Sequence, residues 1–231
     1  MSAASRRTNA LATNVVLFGN RAFASLAWHA LTNDSPHTVV GFTVDRDFLD
    51  GPTLHDLPVI AFDEVEKHFD PARTAMLMSI GWENANGLRE AKYWEAAAKG
   101  YSFISYIASR ALVWSDLEIG EGCMIFEGAI VQPFAHLGNG VILRSGCHIS
   151  HHVDIGDFAF VSARAAVGGS ARLGSRCFIG LNATIRDNIQ IGERSIVGAG
   201  AFIGRDTEPD TTYASPTAKR MPAVGKPDTD T

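Results

Sequence analysis

From Ile119 to Ile203 an aliphatic residue returns at every sixth position. The series is Ile119, Ile125, Val131, Leu137, Leu143, Ile149, Ile155, Val161, Val167, Leu173, Ile179, Ile185, Ile191, Val197 and Ile203, and Val113 and Ile107 extend it backwards. This period fits neither the 3.6 of a helix nor the 2 of a strand, but it is that of a hexapeptide parallel β-helix. Each sixth residue then points into a narrow prism. Four places further on the side chain is usually small (Cys123, Ala129, Ala135, Cys147, Ala159, Ala165, Ala171, Cys177, Ala183, Ser195, Ala201), as expected for tight corners. Glycine often follows the aliphatic directly (Gly120, Gly138, Gly156, Gly168, Gly174, Gly180, Gly192, Gly198), where a strained turn or a close backbone approach is expected. The pattern predicts a left-handed parallel β-helix domain over 109–231, with a polar tail over 205–213 that leaves the helix. The segment 214–221 is expected to pack back on the helix and 226–231 to be disordered.

The first 108 residues alternate differently. Apolar runs at 15–19, 38–45, 59–62, 74–81 and 102–107 read as strands, and 21–33, 63–69 and 86–99 read as helices. Strands alternating with helices predict a small Rossmann-like α/β domain over 1–108, with ligands bound beyond the carboxyl ends of its parallel strands. The turn Gly19-Asn-Arg-Ala-Phe-Ala24 is a degenerate phosphate loop that keeps only the first of the usual three glycines. A plain strand-to-helix turn fits it as well. Asp45 and Gly81, which end two other strands, turn the balance toward a nucleotide site.

The chain has 231 residues and a formal net charge of -5 without a basic run, which argues against nucleic acid as a partner. No run reaches the roughly 20 apolar residues of a membrane span, and the polar start lacks an apolar signal core, so a cytoplasmic location and no membrane partner are expected. Cys123, Cys147 and Cys177 share the small position of the repeat, which favours packing over metal binding or nucleophilic roles.

His148, Ser150, His151 and His152 crowd one coil. Ile149 is the inward residue, so the histidines lie on the outside, where an imidazole can take a proton from an incoming nucleophile. With three strands per coil, Gly169 stacks over His151. A glycine there lets a ligand approach, and its N–H can face a developing oxyanion one strand spacing from the base. Base and oxyanion donor so placed suit acyl transfer.

The small α/β domain joined to a hexapeptide β-helix, together with the segments Gly146-Cys-His-Ile-Ser-His-His-Val-Asp-Ile-Gly156, Cys177-Phe-Ile-Gly-Leu-Asn-Ala-Thr-Ile185 and Pro216-Thr-Ala-Lys-Arg220, resembles the sugar acyltransferases typified by the bacillosamine and perosamine N-acetyltransferases and the sialic acid O-acetyltransferase group. That resemblance implies a homotrimer that moves an acetyl group from acetyl-CoA to the amine of a dTDP-, UDP- or GDP-linked amino sugar in cell-surface glycan (lipopolysaccharide, O-antigen) biosynthesis, or in some members to a hydroxyl. By position it implies His151 as base and Gly169 as oxyanion amide. Gly169, Leu181, Ala199 and Lys219 fall to CoA, and Gly19, Arg21, Ala22, Asp45, Gly81, Arg144 and His152 to the sugar nucleotide. The chain departs from the family where His152 replaces an acid after the base, so Asp154, Asp157 or a backbone carbonyl is expected to orient His151. Phe160 replaces a second histidine, and Arg144 an asparagine.

The repeat admits two other readings. A zinc hydratase on this fold needs three converging imidazoles, which His136, His148, His151 and His152 supply in number but not in a matching spacing, so no metal is expected. A β-helix is also able to serve as a non-catalytic binding module.

Overall fold

A computed structural model describes residues 12–115 and 117–216. Its first part is a sheet built on β1 (Asn14–Phe18), whose residues 15–18 are all buried. Helix α1 (Ala22–Asp34) leads to β2 (Thr38–Val44), which pairs with β1 in parallel. The two-residue strand β3 (Thr53–Leu54) folds back antiparallel on β4 (Leu57–Ala61), and the short helix α2 (Val65–His68) precedes β5 (Thr74–Met78) and α3 (Gly87–Ala98). The order β3-β4-β2-β1-β5 means that the chain first winds outward on one side of β1 and then crosses to the other. The carboxyl ends of β1 and β5 therefore flank a topological switch point, where open α/β sheets bind ligands.

Two expected elements differ. The helix over 63–69 is a 3-10 turn at Phe62–Glu64 followed by the four residues of α2. The expected strand over 102–107 is not a strand of this sheet: Phe103 makes a single bridge to Met76, while Tyr106–Ile107 pairs with Met124–Ile125. The β-helix thus begins at Tyr106, ahead of the boundary expected at 108, because Ile107 already stands in the six-residue register.

The rest of the described chain winds through two-residue strands in three parallel sheets, strands pairing with those eighteen residues on until the last coil. The inward aliphatics are almost wholly buried. The small residues are also buried, immediately after each turn rather than at its apex, where a larger side chain would crowd the prism. The corners lie one step earlier. Their second residue, three after each inward aliphatic from Ile119 to Val197, has φ near +60°, whether it is Gly122, Gly140 and Gly146 or Phe134, His152, Phe158 and Arg176. The glycines directly after the aliphatics are not left-handed; they are needed for close approach, since a Cβ on Gly168 would stand 2.5 Å from the Asp187 amide nitrogen.

The segment 205–213 does not leave the helix. Asp206 accepts from the Gln190 amide, and Thr212–Tyr213 pairs with Ile196–Val197, so the tail completes a shortened coil. Residues 217–231, which include most of the segment expected to pack back and the stretch expected to be disordered, lie outside the described residues. The three cysteines are buried in the prism, and burial pushes each thiol up to about 12, which leaves them as packing groups.

Outward residues give the three faces different characters. One face (Tyr106, Met124, Ile142, Phe160, Phe178, Ile196) receives the α/β domain. Phe23 of α1 packs on Phe126 and Phe160, and Trp82 on Phe178. A second face (Leu112, Ile130, His148, Ala166, Thr184, Phe202) is largely apolar, and the third (Glu118, His136, Asp154, Arg172, Gln190) is polar. The α/β domain also grips the corner between the polar and the docked face. There the buried Arg89 of α3 donates to the Gly140 and Phe158 carbonyls, and Asn86 donates to the Arg176 and Cys177 carbonyls.

Candidate active site

His151 and His152 form the corner between the apolar and the polar face, which is the vertex opposite the docked domain. Both are exposed. The His151 ring lies across Gly169 of the next coil: a Cβ there would meet its Cε1 at 2.7 Å, Nε2 at 2.9 Å and Nδ1 at 3.3 Å. Any side chain at 169 would therefore expel the imidazole, and this steric demand explains the glycine. At other corners of the prism the backbone N–H is capped by the side chain one coil on, as Glu121 is by Asn139 and Asn139 by Asp157. Gly169 has no side chain to offer, so the His151 N–H turns to Gln132 Oε1 at 3.0 Å.

Two expectations about this corner are corrected by the geometry. The Gly169 N–H is not free for an oxyanion, because it donates to Asp187 Oδ1 at 2.8 Å, and a carboxylate there would repel a second negative charge. His151 is not oriented by Asp154 or Asp157. Asp154 pairs with His136 Nδ1 at 3.1 Å, and Asp157 accepts from the Asn139 amide. The partner of His151 Nδ1 is instead His152 Nδ1, at 3.1 Å. His148 lies in the apolar face between Ile130 and Ala166. Among the described residues no three His, Cys, Asp or Glu side chains are grouped to hold a metal ion.

Leu181 and Ala199 are exposed and stack one above the other, but on the corner between the docked and the apolar face. A single chain does not bring them to His151; the apolar face separates the two corners. Lys219 lies outside the described residues.

Five of the sugar-nucleotide candidates, Gly19, Arg21, Ala22, Asp45 and Gly81, lie at the carboxyl ends of the α/β strands, whereas His152 stands at the opposite vertex beside His151. Gly19 takes φ +129°, and a Cβ would meet the Ser79 carbonyl oxygen at 2.7 Å, so only glycine lets β1 turn there beside β5. Ala22 opens α1 without a side-chain cap, at the end of the turn that leaves β1. Arg21 forms an exposed ion pair with Asp50 at 2.6 Å. Asp45 follows β2 and is paired, through Oδ1, with Lys92 Nζ of α3 at 2.8 Å. Burial of Lys92 works to lower its pKa, but hydrogen bonds to Asp45 and Glu95 outweigh it and raise the value. The carbonyl of Gly81 accepts from Arg89 at 2.8 Å. Arg144 is on the docked side, its guanidinium 5.0 Å from the Phe23 ring and 4.8 Å from that of Phe126, and burial lowers its pKa against the pull of Glu127. It is thus held between the domains and not brought to His151.

Lys92, Trp82 and Arg89 enter this picture from the structure alone. Trp82, half exposed, follows Gly81 at the crevice and lies 4.6 Å from Phe178. The turn behind it, Asn84-Ala85-Asn86, is left-handed at all three residues and is held by Arg176 through the Asn84 and Ala85 carbonyls. An aromatic after a strand-end glycine was visible in the sequence; the contacts across some ninety residues that fix it were not.

Fold and repeat are those of the left-handed β-helix acyltransferases built from hexapeptides, carrying an α/β domain ahead of the prism. Residues 170–205 match the bacterial transferase hexapeptide (six repeats) family. The chain is similar to the acetyltransferase domain of PglB from Neisseria gonorrhoeae, at 25% identity and a TM-score of 0.76, covering 90% of this chain and 99% of that one. The same domain in complex with acetyl coenzyme A matches equally, at 25% identity and 0.76, over 91% of this chain and 100% of that one. PerB from Caulobacter crescentus, in complex with CoA and GDP-perosamine, shares the fold at 23% identity and a TM-score of 0.78, over 89% of this chain and 95% of that one. No curated protein matches the chain in sequence.

Proposed function

We propose that the protein is an acetyl-CoA-dependent N-acetyltransferase acting on the amine of a nucleotide-linked amino sugar, a step in cell-surface glycan biosynthesis carried out in the cytoplasm. The observation that carries this reading is the His151 imidazole, exposed at a prism corner and seated on Gly169. Likeness to the PglB acetyltransferase domain, complexed with acetyl coenzyme A, supports the donor. The crevice formed by Gly19, the start of α1, Asp45 with Lys92, and Gly81 supports the nucleotide-bearing acceptor.

In this mechanism His151 Nε2 takes the proton that the amine loses as its nitrogen bonds to the acyl carbon. The carbon–sulfur bond breaks, and His151 returns the proton to the departing thiolate, so that the products are an amide and a free thiol. The donor groove uses Leu181 and Ala199, with Lys219 as a further contact. Leu181 and Ala199, the base and the acceptor crevice occupy three different sides of one prism, and we take this as support for a homotrimer in which two neighbouring chains complete each site. The uncovered apolar face, with Leu112 and Phe202 more than 60% exposed, is the surface for such contacts.

Incubation with acetyl-CoA and a panel of UDP-, dTDP- and GDP-linked amino sugars, followed by thiol release and mass analysis, tests the reading. An acetylated sugar nucleotide is expected. No product from any member, together with no heat of acetyl-CoA binding, would leave a β-helix binding module instead.

A further inference from the structure

We infer that His152 is the positioning residue for His151, orienting the base through an imidazole–imidazole hydrogen bond and being itself held by Phe134. The inference rests on His151 acting as the base, and extends to how one side chain is presented. The two Nδ1 atoms are 3.1 Å apart and the rings are nearly perpendicular, at 84°. Only one nitrogen of that contact carries the hydrogen. For His151 Nε2, the atom over Gly169, to accept a proton, the hydrogen must sit on His151 Nδ1 and be donated to His152 Nδ1. His152 is then the Nε2–H tautomer. When His151 becomes an imidazolium its Nδ1–H is still donated to a neutral acceptor, so the pair holds the ring in both states of the proton transfer.

Phe134 explains why His152 stays in place. It occupies the left-handed corner position one coil earlier, with φ +64°, and its ring centroid is 4.7 Å from that of His152. Phe158, an aromatic at an equivalent corner, is buried against Tyr93. Phe134 by contrast leaves two-thirds of its surface exposed, so burial alone does not account for a bulky ring at a position where glycine and asparagine sit most easily. The left-handed turn at His152, φ +59°, directs its ring back toward its neighbour, and the His152 N–H is fixed on the Pro133 carbonyl at 3.3 Å. No titratable group stands on the adjacent corners, which carry Gln132, Pro133 and Phe134 on one side and Gly168, Gly169 and Ser170 on the other. Among the described residues, the charged or titratable groups bordering the pair are His148 on the apolar face, the His136–Asp154 pair on the polar face, and Asp187 beyond Gly169.

The test uses the full chain labelled with 15N-histidine. At alkaline pH, nitrogen NMR is expected to show His151 protonated on Nδ1, His152 on Nε2, and a scalar coupling between the two Nδ1 atoms. The opposite tautomer on His151 overturns the inference. This readout needs no turnover, so a missing imidazole–imidazole hydrogen bond and a missing acetyl transfer are told apart: the first overturns the positioning role alone, the second the functional reading on which it rests. Two variants keep the corner geometry in play: His152→Gly suits φ +59°, as glycines do at equivalent corners, and His152→Gln keeps an acceptor. His152→Gly should lose the His151 tautomer preference and lower kcat about 10-fold or more at unchanged KM, while His152→Gln should recover most of both. His152→Glu should move the acid limb of the kcat profile to higher pH, since a carboxylate favours the imidazolium. A His152→Gly protein with normal kcat, or one whose only change is a raised sugar-nucleotide KM, would make His152 a substrate contact and overturn the positioning role.

Discussion

The apolar and the polar face of the prism share one backbone ladder and one set of buried aliphatics, yet they differ at every outward residue. Ile130, Ala166 and Phe202 stand on the first, where His136, Asp154 and Gln190 stand on the second. Because inward residues alone hold the coil together, outward positions are free to be chosen for what each face meets. The polar face meets water, and on it His136 pairs with Asp154. The apolar face has no such provision, and the catalytic candidates line the corner at its edge. One scaffold therefore carries a polar wall and an apolar wall side by side, distinguished by one residue in six, and the trimer proposed above would use the second for association.

The strongest way to break this contrast is to charge both faces. Ile130→Arg is expected to dissociate the oligomer and reduce activity by on the order of 10²-fold or more, because an unpaired cation cannot be buried between subunits. Gln190→Arg on the polar face should change neither. Sedimentation and initial rates of both variants decide the matter, and an active Ile130→Arg monomer would end the case for a shared site. Within the corner itself, His151→Ala should lower kcat by about 10²–10⁴ with little change in either KM.

Gly169→Ala should come next, lowering kcat by about 10-fold to 10²-fold as its methyl group pushes the His151 ring aside, with Tm nearly unchanged in calorimetry. A fully active Gly169→Ala enzyme would show that the ring does not rest where the fold places it. Asp45→Ala, on the far side of the prism, should raise the sugar-nucleotide KM several-fold and leave the acetyl-CoA KM alone; equal effects on both would argue against separate sites. The smallest effect concerns the domain junction, where Asp34 accepts from the Tyr106 hydroxyl and the Ser109 amide. Burial works to raise the Asp34 pKa, but these hydrogen bonds prevail and lower it. Its stabilising contribution is therefore present above the ordinary carboxylate pKa and lost as pH falls through the lowered folded value. Asp34→Asn should lower Tm by a few degrees at neutral pH and converge with the parent in strong acid.

Much of this was legible in the residue pattern, and the reasons are local. A hexapeptide period sets which side chains enter the prism, and a coil of eighteen residues places Gly169 over His151 without further information. Alternation of strands and helices likewise marked Gly19, Asp45 and Gly81 as strand-end residues on one edge. What the period does not carry is the hand of the corners. The residue three after each aliphatic from Ile119 to Val197 is left-handed, and at His152 that turns the ring onto His151, where an acid further along the chain had been expected. Nor does it say which hydrogen-bonding groups are already engaged: the Gly169 amide by Asp187, the Asp45 carboxylate by Lys92, the Arg144 guanidinium between two phenyl rings. The repeat determined the scaffold because every coil satisfies its own aliphatic and backbone requirements in the same way. Only the tertiary structure decided the partners, because each of them depends on a side chain one coil or one domain away, and nothing in the period links the two.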